Sequence, residues 1–323
     1  MNDAPPWRPT ASIAVLRRRA EALAVVRDFF CARNVLEVET PAIVNSPVSD
    51  VNLGSVRVEM SGRAGGTLFL HTSPEYAMKR LLAAGSGDIY QLCHVFRGAE
   101  RGRQHNPEFT LLEWYRLGFS LEQLMDEVAM LVQSLLGTKL PVDTLSYREA
   151  LRRHAGFDPL DAGDEVLRES AQALGLDGPR AAASGRDELL DLIVGAQVGP
   201  ALGAGRLTFL HRYPASQAAL ARLDPDDPRV ALRFELYHQG VELANGYHEL
   251  SSAAEQRMRF NTDQQLRQAR GLPSFSLDQH LLAALDAGLP DCAGVALGFD
   301  RVLMLAVGAA TIEEVLAFPT ERA

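Results

Sequence analysis

Residues 88–116 read DIYQLCHVFRGAERGRQHNPEFTLLEWYR. Two runs rich in β-branched, aromatic and leucine residues, Asp88 to Arg97 and Glu108 to Arg116, enclose a polar loop carrying Gly98, Gly102 and Asn106-Pro107. That pattern predicts a long-looped β-hairpin. The loop gathers Arg97, Glu100, Arg101, Arg103, His105 and Asn106, a density of cations that suits a polyphosphate. On the return strand the two-residue period puts Phe109, Leu111, Glu113 and Tyr115 on one face. A purely structural inner face would be apolar throughout, so Glu113 needs a partner. A ligand and a buried ion pair with a nearby arginine answer that need equally well on these residues alone.

Outward from the hairpin, the pattern upstream predicts a helix from Ile13, capped by Thr10 or Ser12 and stopped at Asn34. A strand from Val35 to Pro41 follows, then a second from Thr67 to Thr72 and a helix opened by Pro74-Glu75 and ended at Gly85. Downstream the texture changes at Gly118. Capping boxes at Ser120-Gln123 and Ser146-Glu149, with Gly, Pro and Asp between short amphipathic stretches, predict a helical insertion over about 118–206. Strands return at Leu207 to His211, Val230 to His238 and Val241 to Glu249, the last two joined through Gln239-Gly240. A capping box at Ser252 opens a helix to Arg270, and a short strand from Gly294 to Leu297 precedes a helix from Phe299. The two hairpins predict an antiparallel sheet in an α+β fold, with residues 1–323 as one domain containing the insertion.

Two more stretches carry chemistry. In Glu242-Leu243-Ala244-Asn245-Gly246-Tyr247-His248-Glu249 the two outer glutamates have opposite strand parity, and a bulge near Gly246 would bring both to one side. There they would suit a hard, oxygen-seeking Mg²⁺; without a bulge they are two solvated edge glutamates. In Gly294-Val295-Ala296-Leu297-Gly298-Phe299-Asp300-Arg301, Gly298 permits close backbone approach and Arg301 sits in a helix's first turn, where a cation needs an anion nearby. A packed strand–turn–helix with Asp300 as first-turn acid is the plain alternative.

Composition bounds these readings. The 323 residues are 47% hydrophobic and 23% charged, ordinary for a globular protein, and carry a net charge of −9. An acidic balance counts against a nucleic-acid binder, whose affinity comes from phosphate neutralisation. Cys31, Cys93 and Cys292 lack metal or disulfide spacing, the start lacks a signal-peptide pattern, and the longest apolar run, Val302 to Ala310, is too short for a bilayer. A cytoplasmic protein with no membrane partner is expected.

Taken together and in order, these stretches resemble motifs 1, 2 and 3 of the class II aminoacyl-tRNA synthetases. Val35–Pro41 is similar to motif 1, which makes the dimer interface in that family, so a homodimer is implied. Phe96-Arg97 with His105-Asn106-Pro107-Glu108-Phe109-Thr110 resembles motif 2 of the lysyl, aspartyl and asparaginyl subgroup, and Gly298-Phe299-Asp300-Arg301 resembles motif 3. Within the subgroup the resemblance is to the lysyl enzymes and their short paralogues, which ligate (R)-β-lysine to elongation factor P. Four features pull toward the paralogues: no room for an N-terminal anticodon-binding barrel; Thr72-Ser73-Pro74-Glu75-Tyr76 and Leu112-Glu113-Trp114-Tyr115-Arg116; Pro214-Ala215-Ser216-Gln217-Ala218 in place of Ser-Pro-Leu-Ala; and Ala296 where lysyl enzymes have glycine.

The resemblance implies ATP and Mg²⁺, an amino-acid substrate, elongation factor P as acceptor, and no tRNA partner. It implies catalytic roles for Arg97 and Arg301, with Arg97 on the α-phosphate and Arg301 stacking adenine against Phe109 and reaching the γ-phosphate. Gly98, Ala99, Glu100, His105, Asn106, Glu242, Leu243 and Gly298 would complete the ATP site, and Glu242 and Glu249 would carry the metal. Ser73, Pro74, Glu75, Glu113, Tyr115, Asn245, Glu249 and Ala296 would line the amino-acid pocket. One departure stands out: the family reads Phe-Arg-Asn-Glu where this chain reads Phe96-Arg97-Gly98-Ala99-Glu100, displacing the acid by one. The competing readings are a truncated lysyl-tRNA synthetase charging tRNA, an amidating enzyme similar to bacterial asparagine synthetase, and an amino-acid-binding homologue without turnover.

Overall fold

The computed structural model describes residues 7–60, 67–98 and 100–323. Helix α1 (Ile13–Cys31) starts where the Ser12 hydroxyl accepts the Val15 N–H, and the chain turns away at Asn34, whose φ of 55° asparagine tolerates. Next come β1 (Leu36–Glu37) and three short strands, β2 (Ile43–Val44), β3 (Arg57–Val58) and β4 (Leu68–Leu70), which form a small sheet of their own. Helix α2 (Glu75–Ala83) leads into the hairpin of β5 (Ile89–Phe96) and β6 (Glu108–Leu117). Then follow α3 (Leu121–Leu136), β7 (Val142–Ser146), α4 (Tyr147–His154), α5 (Asp164–Ala173), α6 (Gly178–Ala183) and α7 (Arg186–Ile193). The chain returns to strands at β8 (Leu207–Pro214), β9 (Val230–His238) and β10 (Val241–His248), and finishes through α8 (Ala253–Ala269), α9 (Gln279–Gly288), β11 (Cys292–Gly298) and α10 (Phe299–Val307).

The main sheet has eight strands in the order β1-β5-β6-β11-β10-β9-β8-β7. Its six inner strands pair antiparallel, while β1 pairs parallel to β5 and β7 parallel to β8. The sheet is therefore antiparallel at its centre and mixed at its margins. Parallel neighbours need a long crossover, and α4 to α7 supply one between β7 and β8. The expected motif 1 strand contributes only Leu36–Glu37 to the ladder.

The segment after Gly118 is not helical throughout. Val142–Ser146 is a sheet strand, and α3 packs in the main core rather than apart from it. The five residues from Val142 to the Ser146 cap are too short to register as a strand among helical signals. The capping boxes at Ser120 and Ser146 both form, and they start α3 and α4.

One face of the sheet carries Leu112, Trp114, Phe234, Leu236, Leu243, Val295 and Leu297 against α1, α3 and α10. Helices α4, α5 and α7 pack on Leu210, Tyr213 and Tyr237 at the β8 edge, and α2, α8 and α9 form a third cluster around Met78, Phe260 and Leu282. Among the described residues no helix is long and apolar enough to cross a membrane.

A buried ion pair joins the elements that carry motifs 2 and 3. Asp300, 1% exposed at the start of α10, accepts from the Arg19 guanidinium of α1 at 2.5 Å and from the Thr110 N–H of β6 at 2.7 Å. Arg19 also donates to the Thr110 hydroxyl at 2.6 Å. Removing one partner strands a buried charge, so Arg19→Met is expected to lower unfolding free energy by about 3–5 kcal/mol, measured by urea denaturation.

Candidate active site

The sheet face opposite the main core opens into a cavity of about 1070 Å³, at the upper end of the roughly 300–1,000 Å³ usual for ligand pockets. Phe109, Leu111, Glu113 and Tyr115 of β6 all line it, as their shared parity requires, while Leu112 and Trp114 between them point into the core. Asn245 and Tyr247 of β10 and Gly294, Ala296 and Gly298 of β11 line it too. The register aligns Glu113, Ala296 and Asn245 in one row across β6, β11 and β10.

A polar chain runs along one end of this cavity. Arg97 Nη1 donates to Glu100 Oε1 at 3.2 Å, and its guanidinium lies 5.1 Å from the Phe109 ring centre. Glu100 Oε2 stands 4.0 Å from His105 Nε2. Arg301 Nη2 donates to that same His105 nitrogen at 2.6 Å, and its Nη1 donates to the Glu242 carbonyl at 2.9 Å and lies 3.7 Å from the Glu242 carboxylate. Burial and the Arg301 charge push the His105 pKa down, in keeping with a neutral ring accepting at Nε2. The displaced Glu100 thus still reaches Arg97. Gly98 closes on the Gly54 carbonyl through its N–H at 2.8 Å, and Gly298 caps α10 against Arg301. Ala99 lies outside the described residues.

Asn106 also lines the cavity, and its side chain is hydrogen-bonded within the fold. Its amide donates to the Glu108 carbonyl at 2.6 Å and the Thr320 hydroxyl at 3.2 Å, and its oxygen accepts the Thr320 N–H at 3.2 Å, tying the motif 2 loop to the C-terminal turn.

The expected bulge exists, but at Leu243 rather than Gly246. The β9–β10 register shifts between Glu242 and Ala244, turning Leu243 into the core and bringing Glu242 to the cavity face with Asn245 and Tyr247. Gly246 serves packing instead: a Cβ there would lie 2.4 Å from the Phe234 ring. Glu242 leaves 40% of its side chain open to the cavity, yet is enclosed by protein; burial and then the Glu235 charge raise its pKa to about 7 against the pull of Arg301. Glu235 is held by Arg233 at 2.6 Å and Tyr237 at 2.7 Å. The like charge acting on Glu242 is therefore that of Glu235, a residue that sequence reading passed over. Glu249 is engaged with a different neighbour, Lys79, at 2.5 Å.

The other end of the cavity is a carboxylate pocket. Glu113, 2% exposed, accepts from the Ser73 hydroxyl at 2.6 Å and the Tyr115 hydroxyl at 2.7 Å. Burial, followed by the Glu75 charge, pushes its pKa up to about 8. Ser73 also accepts the Glu75 N–H at 3.0 Å, and Pro74 occupies the N-cap of α2, so the Ser73-Pro74-Glu75 turn fits under the end of β6. Lys79, one helical turn on, bridges Glu75 at 2.7 Å and Glu249. Gly294 makes the pocket possible, because a Cβ there would come within 2.3 Å of the Tyr115 ring and 2.6 Å of Glu249. Asn245 Oδ1 accepts from Arg233 at 3.2 Å, and its amide donates to Tyr247 at 2.9 Å. Lys79, Arg233 and Glu235 were missed because each, met singly, reads as an ordinary helix or strand residue.

Among the described residues no cluster of three or more His, Cys, Asp or Glu side chains is arranged as a metal site. Glu242 is a carboxylate open to the cavity, while both oxygens of Glu235 are taken by Arg233 and Tyr237.

Residues 7–322 match the family model described as tRNA synthetases class II (D, K and N). The chain is 50% identical over 326 residues, covering all of both sequences, to an elongation factor P–(R)-β-lysine ligase of Klebsiella pneumoniae (strain 342). It is 49% identical, again over the whole of both, to the enzyme of the same name from Salmonella paratyphi B (strain ATCC BAA-1250 / SPB7). A cavity floored by motifs 2 and 3, and likeness from end to end, lead to one statement: the chain belongs to the class II tRNA synthetase family (D, K and N), in the branch occupied by those ligases.

Proposed function

We propose that this protein is an ATP-dependent, AMP-forming ligase that activates (R)-β-lysine or lysine and transfers it to a lysine side chain of elongation factor P. The observation that carries this reading is the division of one cavity into two ends: an arginine chain (Arg97, Arg301) suited to phosphates, and a pocket of three glutamates suited to ammonium groups. A diamino acid answers the second end, because each desolvated ammonium needs a counter-charge. The relatives' names agree with that chemistry.

Two displacements follow. The substrate carboxylate attacks the α-phosphorus of ATP and pyrophosphate leaves; then the acceptor amine attacks the carbonyl of the mixed anhydride, AMP leaves, and the amine nitrogen loses a proton as the amide forms. Neither step needs a protein nucleophile, so the residues act by positioning and charge neutralisation. Arg97 orients the carboxylate and the α-phosphate. Phe109 and Arg301 hold the adenine, with His105, Glu100 and the backbone at Gly98, Leu243 and Gly298 around the nucleotide. Glu242, with Glu235 beside it, would hold Mg²⁺, whose chemistry there is to offset triphosphate charge. Glu249 is assigned to the amino acid with Ser73, Glu75, Glu113, Tyr115 and Asn245. The chain acts as a cytoplasmic homodimer joined at its motif 1 edge, where β1 leaves Leu36 54% exposed. A protein acceptor, in place of tRNA, is supported by the relatives' names.

The reading is tested by ATP–pyrophosphate exchange across the lysine isomers and aspartate, followed by mass spectrometry of elongation factor P after incubation with the preferred isomer. Exchange with a diamino acid and a matching mass increase on one lysine are expected. Exchange with aspartate alone, or acid-precipitable tRNA charging without protein modification, would overturn it.

Two further outcomes follow from the pocket. Ala296 sits between Glu113 and Asn245, so Ala296→Gly adds one methyl's worth of space and is expected to shift preference toward α-lysine by about tenfold in kcat/KM ratio. Glu113, with its pKa raised to about 8, is mostly neutral at pH 7 in the empty pocket and must ionise to serve an ammonium. Binding then releases a proton, and KM for the amino acid should fall as pH rises from about 7 to about 8.5 and level above that. Glu113→Gln should flatten that profile.

A further inference from the structure

Lys79 takes no part in either displacement. It is 1% exposed, and its ammonium contacts Glu75 Oε1 at 2.7 Å and Glu249 Oε2 at 2.5 Å. Both carboxylates line the cavity while Lys79 does not, so it stands behind the two groups that face a ligand. Packing alone does not call for a cation here. An unbranched apolar side chain would fill the same space beside Met78 and Leu82 without the cost of burying charge.

Glu113 is treated differently. Among the described residues its hydrogen bonds come from the neutral hydroxyls of Ser73 and Tyr115. Three carboxylates therefore meet one resident ammonium, which leaves a demand for two positive charges once all are ionised. The substrate's own carboxylate is answered separately, by Arg97 at the other end of the cavity.

We propose that Lys79 is a positioning residue that sets at two the number of ammonium groups the pocket accepts, by cancelling one of its three carboxylates and tying Glu75 and Glu249 to a single point. This rests on the amino-acid pocket proposed above. A ligand with one amine leaves a buried carboxylate unmatched, and one with two amines closes the account. The contact also fixes the spacing between α2 and the end of β10, and hence the distance between the two ammonium positions a ligand can use.

The test compares Lys79→Met and Lys79→Arg in the full chain by ATP–pyrophosphate exchange, with KM for (R)-β-lysine and for lysine measured separately from KM for ATP. Lys79→Met should raise the amino-acid KM about tenfold or more, as for loss of one partner from a buried pair, while KM for ATP stays within about twofold. Lys79→Arg keeps the charge and should hold the amino-acid KM within about threefold of the parent. An unmoved amino-acid KM in Lys79→Met, an equal rise in both constants, or an arginine variant no better than the methionine one would each overturn the proposal. If Lys79→Met does not fold, as judged by thermal unfolding, the arginine variant decides: retained amino-acid KM supports a charge role, and a tenfold loss with ATP unaffected refutes it. A parent enzyme that exchanges with no diamino acid would sink the functional reading itself; a normal parent with an indifferent Lys79→Met sinks only the role given to Lys79.

Discussion

The cavity depends on the three open-face positions of β11 that line it carrying no side chain larger than a methyl group. Gly294, Ala296 and Gly298 alternate there, flanked by β6 and β10, whose facing residues are Glu113, Tyr115, Asn245 and Tyr247. Had β11 carried ordinary side chains, the glutamates and tyrosines on either side would have been lifted apart. The clearances at Gly294 leave no room for a Cβ between Tyr115 and Glu249. The opposite face of the same strand is filled with Val295 and Leu297, so the pocket is cut into the sheet without loss to the core.

A second constraint is electrostatic. Around the site Glu113, Glu235, Glu249 and Asp300 are held at low exposure, and among the described residues each is met differently. Asp300 has Arg19 and is structural; Glu249 has Lys79; Glu235 has Arg233; Glu113 has hydroxyls alone. Burial without a cation is costly for a carboxylate and raises its pKa. The glutamate left without one is therefore where a cationic ligand gains most, since its arrival supplies what the fold withholds.

Much of this was legible in the residues. The hairpin at 88–116, the parity of Phe109 to Tyr115 and the helix after Gly298 follow from local periodicity; the resemblance implied Arg97, Arg301, Glu242 and Glu249 at one nucleotide, and all four line one cavity, with Glu249 at its other end beside Lys79. What escaped the sequence depends on register. The bulge lies at Leu243, where no glycine signals it, while the glycine at 246 answers a packing need set by Phe234 on another strand. Lys79 and Glu235 acquire meaning only from neighbours more than 100 residues away or across a strand pair. The strand at Val142–Ser146 gains its stability from β8, some 60 residues later, and in isolation is five residues that follow a proline and end on a helix cap.

Glu100 shows how a displaced residue can keep its contacts. One extra position between Arg97 and the acid would carry the carboxylate away from its partner on a regular strand, but β5 ends at Phe96 and the loop is free to close differently. Gly98 donates its N–H to the Gly54 carbonyl, and a Cβ on it would come within 3.4 Å of Val56, so the turn is pressed against the small sheet there. The Glu100 N–H donates back to the Arg97 carbonyl at 3.1 Å, and its carboxylate meets the Arg97 guanidinium. The arginine thus keeps a carboxylate beside it that steadies its orientation before any phosphate arrives. An incoming anion would compete with Glu100 for Arg97, which makes the loop the part of the cavity whose contacts must rearrange when nucleotide binds.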